Sequence, residues 1–232
     1  MIHQFILAAP KPGLSAEAFQ EYWRTVHAVQ YASRIPQIRK YLIDTRVANP
    51  VELGEPQLPH QGIAEIWLAN GEEQLASLQT EEFLQGARLD EPKWAAFWLT
   101  LVLDTTAHEI LPAAAARTDQ VVWTVLHKRK PGLALAEYRE RSLQEYAPAV
   151  AKLPGLRRYQ HNHVNDGAYV FGESSFDSVE QLWFDDVEQL VAAVRSPEYS
   201  ESVEAARAAL LDPRYTFSLT GRQHWIIGPE AR

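Results

Sequence analysis

The chain has 232 residues, 46% of them hydrophobic and 22% charged, with no cysteine and a formal net charge of −8. That acidic balance lacks the basic field a phosphate-binding surface needs, which argues against nucleic acid as a partner, and the missing cysteines remove disulfides, thiolate catalysis and thiolate-held metals together. No apolar run reaches the ~18 residues of a membrane span, and the start, MIHQFILAAPKPG, has no basic leader segment, so a cytoplasmic protein is expected.

Taken in order, residues 2–9 (IHQFILAA) read as a short strand that runs into a Lys11-Pro12-Gly13-Leu14 turn. Ser15 is the N-cap candidate of the helix that follows, with Glu17 and Glu21 near its positive end. Phe19, Trp23 and His27 fall at i, i+4 and i+8, so they share one face, and Tyr22 and Val26 widen the stripe. Residues 38–47 form a strand, 49–60 a Pro-rich loop, 62–69 another strand and 72–86 a helix. Residues 94–98 make a short extra turn, and residues 100–111 close this part as a strand.

Most of 11–41 then returns at 130–159: Lys130-Pro131-Gly132-Leu133 repeats the turn, Leu153-Pro154 matches Ile35-Pro36, and Tyr159 matches Tyr41. The offset is 119 residues at the turn and 118 after one deletion. Self-similarity on this scale means two copies of one unit. The second copy carries strands at 121–128, 156–164 and 178–184, a helix at 187–195 and a last strand within 216–227; Trp183 answers Trp67, and His224 answers His108. The expected domains are 1–112 and 118–232, joined by a short linker over 112–120. Strand, helix, strand, strand, helix, strand is the order of a ferredoxin-like unit, with helices on one sheet face only. Its other face is apolar and is best buried against a sister sheet.

The residues KPGLSAEAFQEYWRTVHA with IPQIRKY, and PGLRRYQHNHV in the second copy, resemble the EthD-like family of the dimeric α+β barrel superfamily. The resemblance implies an α+β fold in which tandem ferredoxin-like units form an intrachain, pseudo-dimeric barrel. It also implies cofactor-free acid-base chemistry on small aromatic, polyketide-like or lactone compounds, in the manner of cyclases, isomerases and lyases. His27 stands where the family's helix histidine stands, and Tyr41 at the position of a strand tyrosine near it. The second copy departs from the pattern, with Ser142 for Trp23 and Tyr146 for His27.

His27 therefore has two readings, a helix-end histidine satisfied by a carbonyl, or an acid-base group beside Tyr41. Tyr41 is either a core aromatic or a hydrogen-bond donor; Asp44, three residues on, points to the opposite strand face. Tyr159, His161 and His163 alternate along one strand and share a face. With no carboxylate evident beside them, they read as a solvent-facing polar row rather than a metal site. His108 and His224 recur at equivalent places, which suggests a structural hydrogen bond at a sheet edge. Trp23, Trp67 and Trp183 either pack the core or line an aromatic-binding cavity.

The candidate catalytic residues are thus His27 and Tyr41, and the candidate substrate-binding residues Trp23, Trp67, His108, Tyr159, His161 and His163. No metal or cofactor is expected, the partner is a small-molecule substrate, and the chain is a monomer or homodimer. Two other functions remain open, a noncatalytic carrier for a hydrophobic metabolite and a haem-binding protein or oxygenase.

Overall fold

The structure, a computed structural model, describes residues 1–48, 50, 53, 58–114 and 119–232. The loop expected over 49–60 and the linker expected over 112–120 lie outside the described residues at 49, 51–52, 54–57 and 115–118. The first copy runs β1 (Ile2–Ala8), α1 (Ala16–Tyr22), β2 (Lys40–Val47), β3 (Gly62–Leu68), α2 (Gly71–Ser77), α3 (Arg88–Trp94) and β4 (Leu101–Leu111). The second runs β5 (Val121–Arg129), α4 (Leu135–Arg141), α5 (Ala147–Val150), β6 (Arg158–Val164), β7 (Ser178–Phe184), α6 (Val187–Val194), α7 (Glu204–Leu210) and β8 (Leu211–Ile227). Neighbouring strands hydrogen-bond in the order β1-β3-β2-β8-β5-β7-β6-β4, a closed antiparallel barrel in a mixed α+β fold. The chain falls into two compact units: residues 1–46, 59–104 and 223–232, and residues 47–58 and 105–222.

In the first unit, β3 is flanked by β1, from Ile2↔Leu68 to Ala8↔Gly62, and by β2, from Lys40↔Trp67 to Thr45↔Gly62. Strand alternation puts Gln4, Ile6, Ala8, Tyr41, Ala64 and Ile66 on the face the helices cover, and His3, Phe5, Asp44 and Glu65 on the other. Ahead of α1, Gly13 takes φ of +88°, a left-handed turn open to glycine at little cost. Ser15 then caps the helix, its hydroxyl accepting the Ala18 amide at 3.2 Å. After Tyr22 the helix widens into π-type turns over Trp23–Tyr31. Residues four apart stay nearly in line at that pitch, and Phe19, Trp23 and His27 all pack against Trp94, with ring centroids 5.3, 4.9 and 4.8 Å away.

The helix expected over 72–86 is broken and longer. α2 ends at Ser77, and helix resumes beyond Thr80, whose hydroxyl accepts the Phe83 amide at 3.2 Å and so caps a new start. It continues through π-type turns at Glu82–Ala87 into α3, so Trp94 ends a helix and the short extra turn is Phe97–Leu99.

In the second unit, β7 is flanked by β5, from Val121↔Phe184 to His127↔Ser178, and by β6, from Arg158↔Trp183 to His163↔Ser178. β8 begins at Leu211, five residues before the expected strand. The row Tyr159, His161, His163 does not face solvent: the residues are 0, 0 and 5% exposed, because that side of β6 is the side the helices cover. A carboxylate does converge on it. Glu180 lies opposite His161 on β7, and its Oε1 meets His127 Nε2 at 2.6 Å and accepts from the Tyr146 hydroxyl at 2.7 Å. Its Oε2 accepts from the Tyr159 hydroxyl at 2.9 Å and lies 3.9 Å from His161 Nδ1. Spacing along the chain does not show it, because Glu180 sits on a different strand, and only the register brings the two together.

The registers also show what this knot replaces. Ala8 pairs with Gly62 as His127 pairs with Ser178, and Ile43 with Ala64 as His161 with Glu180. His127, His161 and Glu180 therefore stand where the first unit has Ala8, Ile43 and Ala64, with Tyr146 in the place of His27. A set of small and apolar residues has become a polar core.

Three stability outcomes follow. Burial alone would raise the Glu180 carboxyl, but His127 and His161 hold it well below the ordinary carboxylate range, while burial lowers His161. A depressed carboxyl stabilises the fold above its unfolded value, ~4.3, and a depressed histidine stabilises it above ~6.5, so both contributions fade as pH falls. The urea midpoint is expected to decline steadily from about pH 6.5 downward, and Glu180→Ala to cost about 3–5 kcal/mol at neutral pH by leaving buried partners uncompensated. Gly62→Ala is expected to cost about 1–3 kcal/mol in the same titration, since a Cβ there would sit 2.8 Å from the Asp44 carbonyl and 3.1 Å from the Trp23 ring.

Candidate functional site

The first unit leaves a cavity of about 310 Å3 between its sheet and its helices. Its walls are mainly apolar, including Ile6, Ile35, Ile66 and Phe83, and the side chains with chemistry to offer are Gln4, His27, Tyr41, Gln74, Ser77 and Glu91. Trp23 and Trp94 also line it. Each strand residue is there by alternation, Trp23 and His27 come from the helical row that faces Trp94, and Gln74 and Ser77 come from α2.

His27 is 5% exposed, and its Nδ1 lies 3.0 Å from Asp90 Oδ2. Asp90 is buried as well, and its Oδ1 accepts from the Tyr22 hydroxyl at 2.9 Å and from Lys93 Nζ at 3.0 Å. With Nδ1 engaged, Nε2 is the ring nitrogen left for a ligand. Burial lowers the His27 pKa below its usual value, with Asp90 opposing, so the ring is neutral at pH 7. Burial would raise the Asp90 carboxyl, yet Lys93, His27 and Tyr22 bring it below its ordinary value. A carboxylate holding one imidazole nitrogen sets the tautomer and strengthens the other as a base.

Burial keeps the Tyr41 hydroxyl protonated far beyond neutrality, so it is a donor to whatever negative charge develops nearby. Glu91 follows Asp90 in α3 but turns into the cavity, where burial pushes its carboxyl up to about 7. At that value it shuttles between acid and base near neutral pH. Asp44 is absent from this wall, being on the opposite strand face. Its buried carboxyl is raised well above the ordinary range, first by burial and then by the charge of Glu65.

The sequence-derived candidates thus separate. His27, Tyr41 and Trp23 come together. Trp67 does not join them, because it alternates away from Ile66 and instead stacks on His3, centroids 4.2 Å apart, and on Trp225 at 5.7 Å. Tyr159 and His161 belong to the buried knot of the second unit. His108 and His163, centroids 4.7 Å apart, border a more open pocket of about 310 Å3 with Arg139, Asn165 and Asp166. Burial and the nearby His161, His108 and Arg139 pull His163 down to about 2. His224 instead meets the Thr45 hydroxyl at 2.9 Å. The strands close into a ring, so neither histidine sits at a free sheet edge. Among the described residues, no group of three ligand-type side chains is placed to hold a metal ion, and no helix is long and apolar enough to cross a membrane.

Sequence reasoning missed Asp90, Glu91 and Trp94. The signal was present: Asp90 and Trp94 are four apart and so share a helical face, but the expected helix stopped at 86.

Comparison with known proteins agrees with this architecture. A comparison with curated proteins finds no match. Among solved structures, an anthrone oxidase-like protein superposes with a TM-score of 0.62 at 14% identity, over 97% of this chain and 92% of that one. A protein of Lactobacillus acidophilus provisionally called a monooxygenase does so with a TM-score of 0.55 at 14% identity, over 100% and 97%. A chlorite dismutase of Candidatus Nitrospira defluvii does so with a TM-score of 0.53 at 11% identity, over 96% and 90%. At such identities the likeness is one of fold. The family model for the EthD domain matches residues 11–97 and again 130–214, which together cover most of the chain. The protein therefore belongs to the EthD domain family, as a chain that carries two copies in tandem.

Proposed function

We propose that the first unit is a cofactor-independent acid-base enzyme acting on a small aromatic, polyketide-like or lactone compound held in its cavity. The observation that carries this reading is the Asp90-His27 pair at 3.0 Å, set in the wall of an otherwise apolar cavity. His27 Nε2 takes a proton from a carbon or hydroxyl of the bound molecule. Asp90 steadies the ring as it becomes cationic. Tyr41 donates a hydrogen bond to the oxygen on which negative charge gathers. Glu91, half protonated near neutrality, returns a proton at the position where the rearranged product needs one. Trp23 and Trp94 hold the flat apolar part of the substrate.

Cyclisation with loss of water, isomerisation of a double bond and lyase elimination all share this sequence of proton removal and proton return. The cavity's size favours a compound of one to three rings, at the small end of the ~300–1,000 Å3 typical of ligand sites. A carrier role would rest on the same apolar walls without the proton transfers, and the experiment below separates the two.

His27→Ala is expected to lower turnover by about 10²–10⁴-fold in a chain that still folds, with about 1–3 kcal/mol of stability lost through the Trp94 and Asp90 contacts, because Asp90 keeps Tyr22 and Lys93. Full turnover in that variant would remove the catalytic role, and saturable binding without any turnover by the wild type would make the protein a carrier. The kcat/KM profile is expected to be bell-shaped. Its acid limb lies below about 6.5, where His27 gains a proton, and its alkaline limb near 7, where Glu91 loses one. In Glu91→Gln the residual activity should lose the alkaline limb.

A further inference from the structure

At the cavity wall, Gln4 on β1 and Gln74 on α2 both reach the carboxylate of Asp104 on β4. Gln4 Nε2 donates to Asp104 Oδ1 at 2.6 Å, and Gln74 Nε2 donates to Asp104 Oδ2 at 2.7 Å. An ionised carboxylate has no hydrogen to give, so it turns the NH2 group of each amide toward itself. That fixes an ambiguity carboxamides otherwise keep. Each Oε1 then points away from Asp104, and among the described residues neither has a protein partner.

Gln4 is 7% exposed and Gln74 half-buried, and both line the cavity that holds His27 and Tyr41. A glutamine free to rotate presents a donor or an acceptor as the ligand demands. Two glutamines locked by one carboxylate have the positions of their oxygens fixed as acceptors, with one N–H of each amide spent on Asp104 and the other held beside it. A buried acceptor facing a ligand with nothing to donate carries a desolvation cost of about 1–3 kcal/mol, so the pair selects by chemistry as well as by shape.

We propose that Gln4 and Gln74, locked by Asp104, form a specificity subsite that accepts a hydrogen bond from a hydroxyl of the substrate, so that the favoured ligand is a hydroxylated aromatic, a phenol or an enol. The inference rests on the first-unit cavity being the substrate site. It adds which end of the molecule is read and how: the hydroxyl is held by the locked amides while His27, Tyr41 and Glu91 address the reacting carbon or carbonyl. Asp104 is a positioning residue here, since it acts through the amides and need not touch the ligand.

The test is equilibrium binding followed by the fluorescence of Trp23 and Trp94, with 2-naphthol and its near-isostere 2-fluoronaphthalene, which has no proton to donate, on the full chain. Wild type is expected to prefer the naphthol by at least about tenfold, as a site built around a hydroxyl does. In Asp104→Asn, whose own amide lets the glutamines turn over, the preference should fall below about threefold with 2-fluoronaphthalene affinity largely kept. Gln4→Leu should erase the preference by removing one acceptor. Equal affinity of wild type for the two probes, failure of both to bind, or an undiminished preference in folded Asp104→Asn would overturn the proposal. Repeating the titration in His27→Ala separates the two readings. A kept preference with lost turnover supports both, whereas a kept preference in a wild type with no turnover sinks the catalytic reading and leaves this one standing.

Discussion

The first unit depends on the indole of Trp94. Phe19, Trp23 and His27 project from one helical face, and all three rings rest on that single side chain, which is itself buried at the end of α3. Aromatic contacts of this kind contribute about 0.5–1.5 kcal/mol each beyond the area they bury. Their larger effect is geometric. By pinning α3 against the first helix they bring Asp90, one turn earlier in α3, to His27, and they turn Glu91 into the cavity. The placing of Asp90 on His27 and of Glu91 in the cavity is thus a consequence of aromatic packing.

The second unit solves the same problem with different atoms. The backbone registers match position for position, yet Ala8, Ile43 and Ala64 of the first unit become His127, His161 and Glu180, and the imidazole of His27 becomes the phenol of Tyr146. Volume is redistributed as well: Trp23 packs beside Gly62 where the second unit places Ser142 and Ser178. A buried carboxylate that accepts from two tyrosine hydroxyls and meets a histidine is saturated. Such a group is a structural core, and its chemistry is spent on its neighbours. The first unit thus keeps a cavity where the second unit packs its polar knot.

Much of this was legible in the residues. The repeat, the strand and helix order, the Ser15 cap and the shared face of Phe19, Trp23 and His27 all rest on local rules of spacing and turn chemistry. What could not be read was convergence between distant strands and helices. Glu180 reaches His127 across 53 positions and Tyr159 across 21, and Asp90 reaches His27 across 63. Periodicity says which face a residue is on, but register and helix docking decide whom it meets. The polar row of β6 is buried and not solvent-facing for the same reason, because alternation alone does not tell the covered face from the wet one. Trp67 was separated from Trp23 by one residue of strand phase.

The widened helix over Trp23–Tyr31 has a bearing on how the two copies diverged. Between the turn and the second strand the first copy is one residue longer, as the change of offset from 119 to 118 shows. No loop takes up the difference. The π-type run spans nine residues in the first copy and five, Ser142–Tyr146, in the second, so the added residue is absorbed in the winding of the helix. A length change stored as pitch leaves both ends of the segment where they were. The two copies can thus differ by one residue beside this histidine while β2 keeps its register, so the cavity wall differs without any change to the sheet it rests on.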